Sequence, residues 1–151
     1  MRGEGQRLAI FYADFECPHC ASLHFALAQV PDLRVVLRHF PVRARHPRAF
    51  QLACAAEAAG LQGAFWAFAD SLFGDQGRLD PPHLWARVER LGLDLDRFER
   101  DRRSAAVRER VEADLTGGLR AGVAGTPTLF LDGQRYTRPW PEPVLRLLGQ
   151  H

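Results

Sequence analysis

The strongest constraint on this chain is a pair of cysteines three positions apart, Cys17-Pro18-His19-Cys20, at the point where one structural pattern hands over to another. Before the pair, Leu8 to Ala13 is a short apolar run, long enough for a strand buried on both faces. After it, Pro18 suits the first position of a helix, where its missing N–H is not needed. That helix carries Cys20, Leu23, Leu27 and Val30 along one stripe and ends before Pro31. A second strand, Arg34 to Phe40, follows and stops at Pro41. Strand, helix and strand within so short a stretch make one βαβ unit with a right-handed crossover.

The middle of the chain reads as helical. Pro47 to Ala59 is alanine-rich and closes at Gly60, a C-terminal glycine. Phe65, Phe68, Ala69, Leu72 and Phe73 lie at helical spacing. Asp80 caps a third helix that takes Leu84, Trp85, Val88 and Leu91 inside. A fourth helical region follows Asp94, with Val107, Val111 and Leu115 four residues apart. Strands return at Thr128–Leu131 and Arg135–Thr137, around the hairpin signal Asp132-Gly133. A last short helix starts at Pro141 and buries Val144, Leu145 and Leu148. The expected fold is therefore α/β: a single domain over residues 1–151, ordered βαβ…ββα, with an insertion of about four helices across approximately 46–118.

Placement gives the two cysteines different work. Cys17 falls at the start of a helix, where unsatisfied N–H groups and the helix dipole favour a thiolate. His19 adds positive charge or a hydrogen bond. Cys20 lies almost one turn on, along the apolar stripe, and should be the more buried sulfur. One cysteine then attacks and the other resolves the mixed disulfide. The competing reading is half of a metal site, but zinc sites commonly draw on four ligands. There is no second CxxC, and His24 is the only other nearby candidate ligand. Three cysteines are too few for a disulfide framework.

Composition narrows the partners. A net charge of +2 gives no broad positive field, so nucleic acid is not expected. No stretch approaches the ~18 apolar residues that span a bilayer. Met1 to Arg7 is polar and leads straight into the first strand, so no signal peptide is read. The expected compartment is the cytoplasm for the sequence as it stands, or the periplasm or another extracytoplasmic space if an export signal has been removed.

Other candidates have plainer readings. Cys54 sits amid alanines as a small core residue or else a regulatory thiol. Phe65, Trp66, Phe68 and Phe73 read as core, with some aromatics available to a peptide groove. His39, His46 and His83 need no ligand to explain them, and His24 reads as a helix-flank residue. Gly118 and Gly122 permit close packing before the Pro127 loop.

Tyr12-Ala13-Asp14-Phe15-Glu16-Cys17-Pro18-His19-Cys20, the helical block and Gly125-Thr126-Pro127-Thr128 together resemble the DsbA-like branch of the thioredoxin superfamily over nearly the whole chain. The resemblance implies that Pro127 is cis and faces the cysteine pair. It also implies that Thr126 offers backbone groups to an extended substrate segment. A Pro-His dipeptide between the cysteines resembles strongly oxidising members. The family often carries a buried glutamate six residues before the first cysteine, and Phe11 stands there instead. Asp14 and Glu16 are then the nearest acids, as surface or capping residues or as aids to proton transfer from Cys20.

The expected function is thiol–disulfide exchange with cysteines of protein substrates, on the oxidising side. Cys17 is the nucleophile, Cys20 the resolving thiol, Pro18 and His19 tune the pair, and Thr126 and Pro127 organise the substrate. The expected cofactor is none beyond a redox-active Cys17–Cys20 disulfide. The expected partners are thiol- or disulfide-containing proteins and a redox partner, acting on a monomer. Two alternatives stay open: a metal-binding or redox-switched module using the reduced CxxC, and a glutathione-dependent transferase of related fold.

Overall fold

A computed structural model describes residues 1–149. The first strand, β1 (Arg7–Ala13), leads into α1 (Pro18–Ala28) and then β2 (Leu33–His39), which pairs parallel to β1. Helices α2 (Ala49–Gly60), α3 (Phe65–Gly74), α4 (Pro81–Arg90), α5 (Leu95–Asp101) and α6 (Ala105–Arg120) come next. The chain closes with β3 (Thr128–Leu131), β4 (Gln134–Thr137) and α7 (Glu142–Leu147). The sheet runs β2-β1-β3-β4, with both β1–β3 and β3–β4 antiparallel.

β1 is central because its side chains are apolar on both faces. Ala9, Phe11 and Ala13 enter the main core with Leu23 and Leu27 of α1 and Phe68, Leu72 and Phe73 of α3. On the other face Tyr12 packs with Phe40 and Val123, joined by Ile10, Leu115 and Phe130. Four of the six buried alanines of α2, Ala55, Ala56, Ala58 and Ala59, join the main core and leave room for close helix contact. Phe50, Ala53 and Cys54 on its far side meet Val107 and Val111 of α6. The Asp132-Gly133 turn has φ values of 52° and 85°, both positive as a tight two-residue hairpin demands.

Several local expectations are corrected. The insertion holds five helices, because the region after Asp94 breaks. The Ser104 hydroxyl accepts from Val107 N and donates to the Asp101 carbonyl, which ends α5 and starts α6. Gly60 is the last residue of α2 rather than a left-handed cap, and the positive φ falls at Gly63. Trp85 faces outward and donates its indole N–H to Glu99. Asp80 caps α4 by position but hydrogen-bonds His83. In α7 only Val144 is fully buried, while Leu145 and Leu148 are half-buried.

Candidate functional site

Register brings the ends of the chain to the cysteines. Tyr12, one residue before the end of β1, pairs with Thr128, the first residue of β3. The residues just before Thr128 therefore lie across the end of β1, where the turn into α1 begins. The Thr126–Pro127 bond is cis, as is Arg138–Pro139. The Thr126 carbonyl stands 3.9 Å from Cys17 Sγ.

Cys17 is the N-cap residue of α1, in extended conformation, and Pro18 opens the helix. Its sulfur accepts from the Cys20 backbone N–H at 3.4 Å. It is 5 % exposed, against 0 % for Cys20, and both are free thiols. The Cys17 thiol is lowered to about 6, first because the Cys20 thiol donates to it, with the Cys20 backbone N–H, the Thr126 hydroxyl and the His19 backbone adding to the effect. Burial works against this shift and loses. Burial pushes the Cys20 thiol far upward, reinforced by the neighbouring Cys17. The inner sulfur is thus held as a thiol while the outer one ionises near neutrality.

His19 contributes through its backbone. Its imidazole is exposed and makes no hydrogen bond among the described residues; it lines a groove of about 540 Å³ shared with Thr126 and Pro127. Asp14 is buried and fully committed to holding the turn. One oxygen accepts from Glu16 N at 2.8 Å, and the other from Val42 N and the His46 ring, each at 2.9 Å. Glu16 accepts from the backbone N–H of Arg48, the N-cap of α2. Asp14 is thus a buried brace of the turn rather than a surface or capping residue, while Glu16 holds a backbone N–H at the start of α2. Phe11 fills the position six before Cys17 as pure core, packed on Phe73.

Three contributors were missed in the sequence. Gln76, just after α3, donates to the carbonyls of Phe15 at 2.9 Å and Cys17 at 3.0 Å, so the helical block grips the active turn directly. Asp114 of α6 is buried and accepts from His39 N at 3.0 Å, fixing the end of β2. His24, expected on a flank, is buried beside Phe73 and bonds Asp70 at 2.7 Å, which in turn forms a two-bond pair with Arg2. Long-range pairs of this kind have no local signature. Cys54 lies buried between α2 and α6, its thiol pushed up to about 11 by burial. Among the described residues no three His, Cys, Asp or Glu side chains converge as a metal ligand set.

A parallel βαβ unit, a terminal antiparallel hairpin and a CxxC at the start of α1 define a thioredoxin-fold protein with a helical insertion. The family model described as DSBA-like thioredoxin domain matches residues 9–145, and the chain belongs to that family. The thiol–disulfide exchange protein alpha-DsbA2 of Wolbachia pipientis superposes with a TM-score of 0.81 at 18 % identity, covering 96 % of this chain and 81 % of that one. A thioredoxin-like oxidoreductase from Silicibacter pomeroyi DSS-3 gives 0.76 at 26 % identity, over 87 % and 78 %. Among curated proteins, the Na(+)/H(+) antiporter NhaA 1 of Salinispora arenicola is 45 % identical over 132 residues, 83 % of this chain and 20 % of that protein. The Na(+)/H(+) antiporter NhaA of Herminiimonas arsenicoxydans is 40 % identical over 141 residues, 87 % and 22 %. The chain spans about a fifth of the length of these relatives. Among the described residues no helix is long and apolar enough to cross a membrane.

Proposed function

We propose that the protein exchanges disulfides with cysteines of protein substrates through Cys17 and Cys20, on the oxidising side of thioredoxin. The observation that carries this reading is the asymmetry of the pair: an N-cap sulfur favoured as thiolate, in front of a buried sulfur favoured as thiol. From the dithiol form, the Cys17 thiolate attacks one sulfur of a substrate disulfide. That S–S bond breaks and the other substrate sulfur leaves as a thiolate. Cys20 gives up its proton and attacks Cys17, releasing the first substrate sulfur, which is protonated. Two electrons have passed to the substrate and the protein carries the Cys17–Cys20 disulfide. The reverse sequence oxidises a substrate dithiol, and a thiolate-favouring Cys17 makes that direction the easier one.

Thr126 and Pro127 line the approach to Cys17 and serve as the backbone rest for an extended substrate segment. No cofactor is required, since the disulfide carries the electrons. Na+/H+ antiport is what the relatives' names state of the whole proteins, and the part they share with this chain overlaps most of the family match. Cys20→Ser tests the assignment: incubated with a peptide disulfide, it should retain a long-lived mixed disulfide on Cys17. An adduct on Cys54 instead, or none, removes the reading.

A further inference from the structure

The groove beside the cysteines has one sign of charge. Its wall between α1 and the terminal hairpin includes His19, Thr126 and Pro127, together with Arg45, Arg135 and Arg138. All three arginines are exposed, and none forms an ion pair among the described residues. Arg135 is steadied by donating to the Gly122 carbonyl at 2.7 Å, which spends one N–H and leaves its charge uncompensated. No Asp or Glu lines the groove among the described residues. The nearest acids of the active turn are occupied elsewhere: Asp14 by Val42 and His46, Glu16 by Arg48. Elsewhere some exposed arginines face acids, as in Arg7–Asp132, Arg103–Glu99 and Arg146–Glu142, and others do not. What marks the groove is three unpaired arginines gathered on one lining with no acid among the described residues there.

A concave site of one sign concentrates ligands of the other and orients them as they arrive. Arginine suits this task because its planar fork grips a carboxylate with two parallel hydrogen bonds. We propose that the groove selects substrate segments bearing aspartate or glutamate next to the reacting cysteine, with Arg45, Arg135 and Arg138 as the selecting groups. The inference rests on the exchange reading above and adds the substrate class to it.

The test uses three disulfide-bonded peptides of equal length, whose residues flanking the cysteine are acidic, neutral or basic. Each second-order rate with the reduced protein is divided by the rate of the same peptide with dithiothreitol, which removes intrinsic differences between the disulfides. The acidic peptide should exceed the basic one by roughly tenfold at low salt, with the gap closing near 1 M salt, where the Debye length falls to about 3 Å. The double variant Arg45→Glu/Arg138→Glu should invert the order. The milder Arg45→Gln/Arg138→Gln should flatten it, and serves if the reversal disturbs folding. Equal, salt-independent rates for all three peptides would overturn the selectivity and leave disulfide exchange standing. Oxidised glutathione reacting faster than every peptide would assign the arginines to a small anionic thiol rather than an extended segment, and would also overturn it. Failure of all the disulfides to react would instead sink the exchange reading on which the proposal rests.

Discussion

At Cys17 the fold converts an ordinary thiol into a group that ionises near neutral pH, and the causes are local enough to test one at a time. The rate of alkylation by iodoacetamide should rise with a midpoint near pH 6, while Cys20 should stay unreactive across the neutral range. Thr126→Val removes one donor to the thiolate and should move the Cys17 midpoint upward. A midpoint near 8.5, that of a free thiol at roughly its ordinary value, would remove the claim of activation. This part of the site was legible in the sequence, because a CxxC after a strand and before a proline fixes the N-cap position by itself. Gln76, Asp114 and His24 were not legible. Each acts on a partner many residues away, and only the folded path of the chain says which partner. Asp14 was visible as an acid near the pair, but its three hydrogen bonds to Glu16, Val42 and His46 depend on where residues 40–46 return.

Individual elements were read well wherever periodicity or a turn signal spoke alone. β1, α1, β2 and the Asp132-Gly133 hairpin fall within a residue or two of their expected places. The misreadings occurred where one local cue had to be weighed against packing. Ser104 caps α6 from inside a charge-rich stretch that hides the signal, and Trp85, apolar in character, faces outward because its indole N–H reaches Glu99. The close packing expected at Gly118 is present: a methyl group there would lie 2.9 Å from ring atoms of both Phe40 and Tyr12. Both rings belong to the cluster beneath the sheet, alongside Val123, so they have little room to give. Gly118→Ala should therefore cost about 1–3 kcal/mol despite the better helix propensity of alanine, read as a lower midpoint in urea unfolding. An unchanged or higher midpoint would mean that α6 and the sheet are less tightly joined than the contacts indicate.

Across the whole molecule, the same thiolate links redox state to stability. Cys17 has a folded pKa below its unfolded one, so its contribution to the reduced form is fully present above the unfolded value and fades as pH falls through about 6. A shift of this size is worth at most about 4 kcal/mol in alkaline solution, but only about 1.4 kcal/mol at pH 7, one unit above the folded value. A disulfide closing so short a loop restrains the unfolded chain by roughly 2 kcal/mol. The two effects are thus close at neutrality. Thermal melts should show the oxidised form ahead below about pH 6 and the reduced form ahead from about pH 8 to about pH 10. Beyond that the raised Cys20 thiol, ionised only in the unfolded chain, erodes the advantage again. A gap that does not change with pH would mean that the thiolate is not the linking group. The central claim, that Cys17 and Cys20 form an exchanging pair more oxidising than thioredoxin, is tested most directly by their reduction potential against a glutathione buffer at pH 7. Thioredoxin, with a nucleophile near pKa 7, stands at about −270 mV, and a tenfold change in the equilibrium is about 30 mV. A Cys17 one unit lower places this pair some 20–30 mV less negative, near −245 mV. A value more negative than about −270 mV would contradict the account, as would a pair that does not equilibrate with glutathione at all.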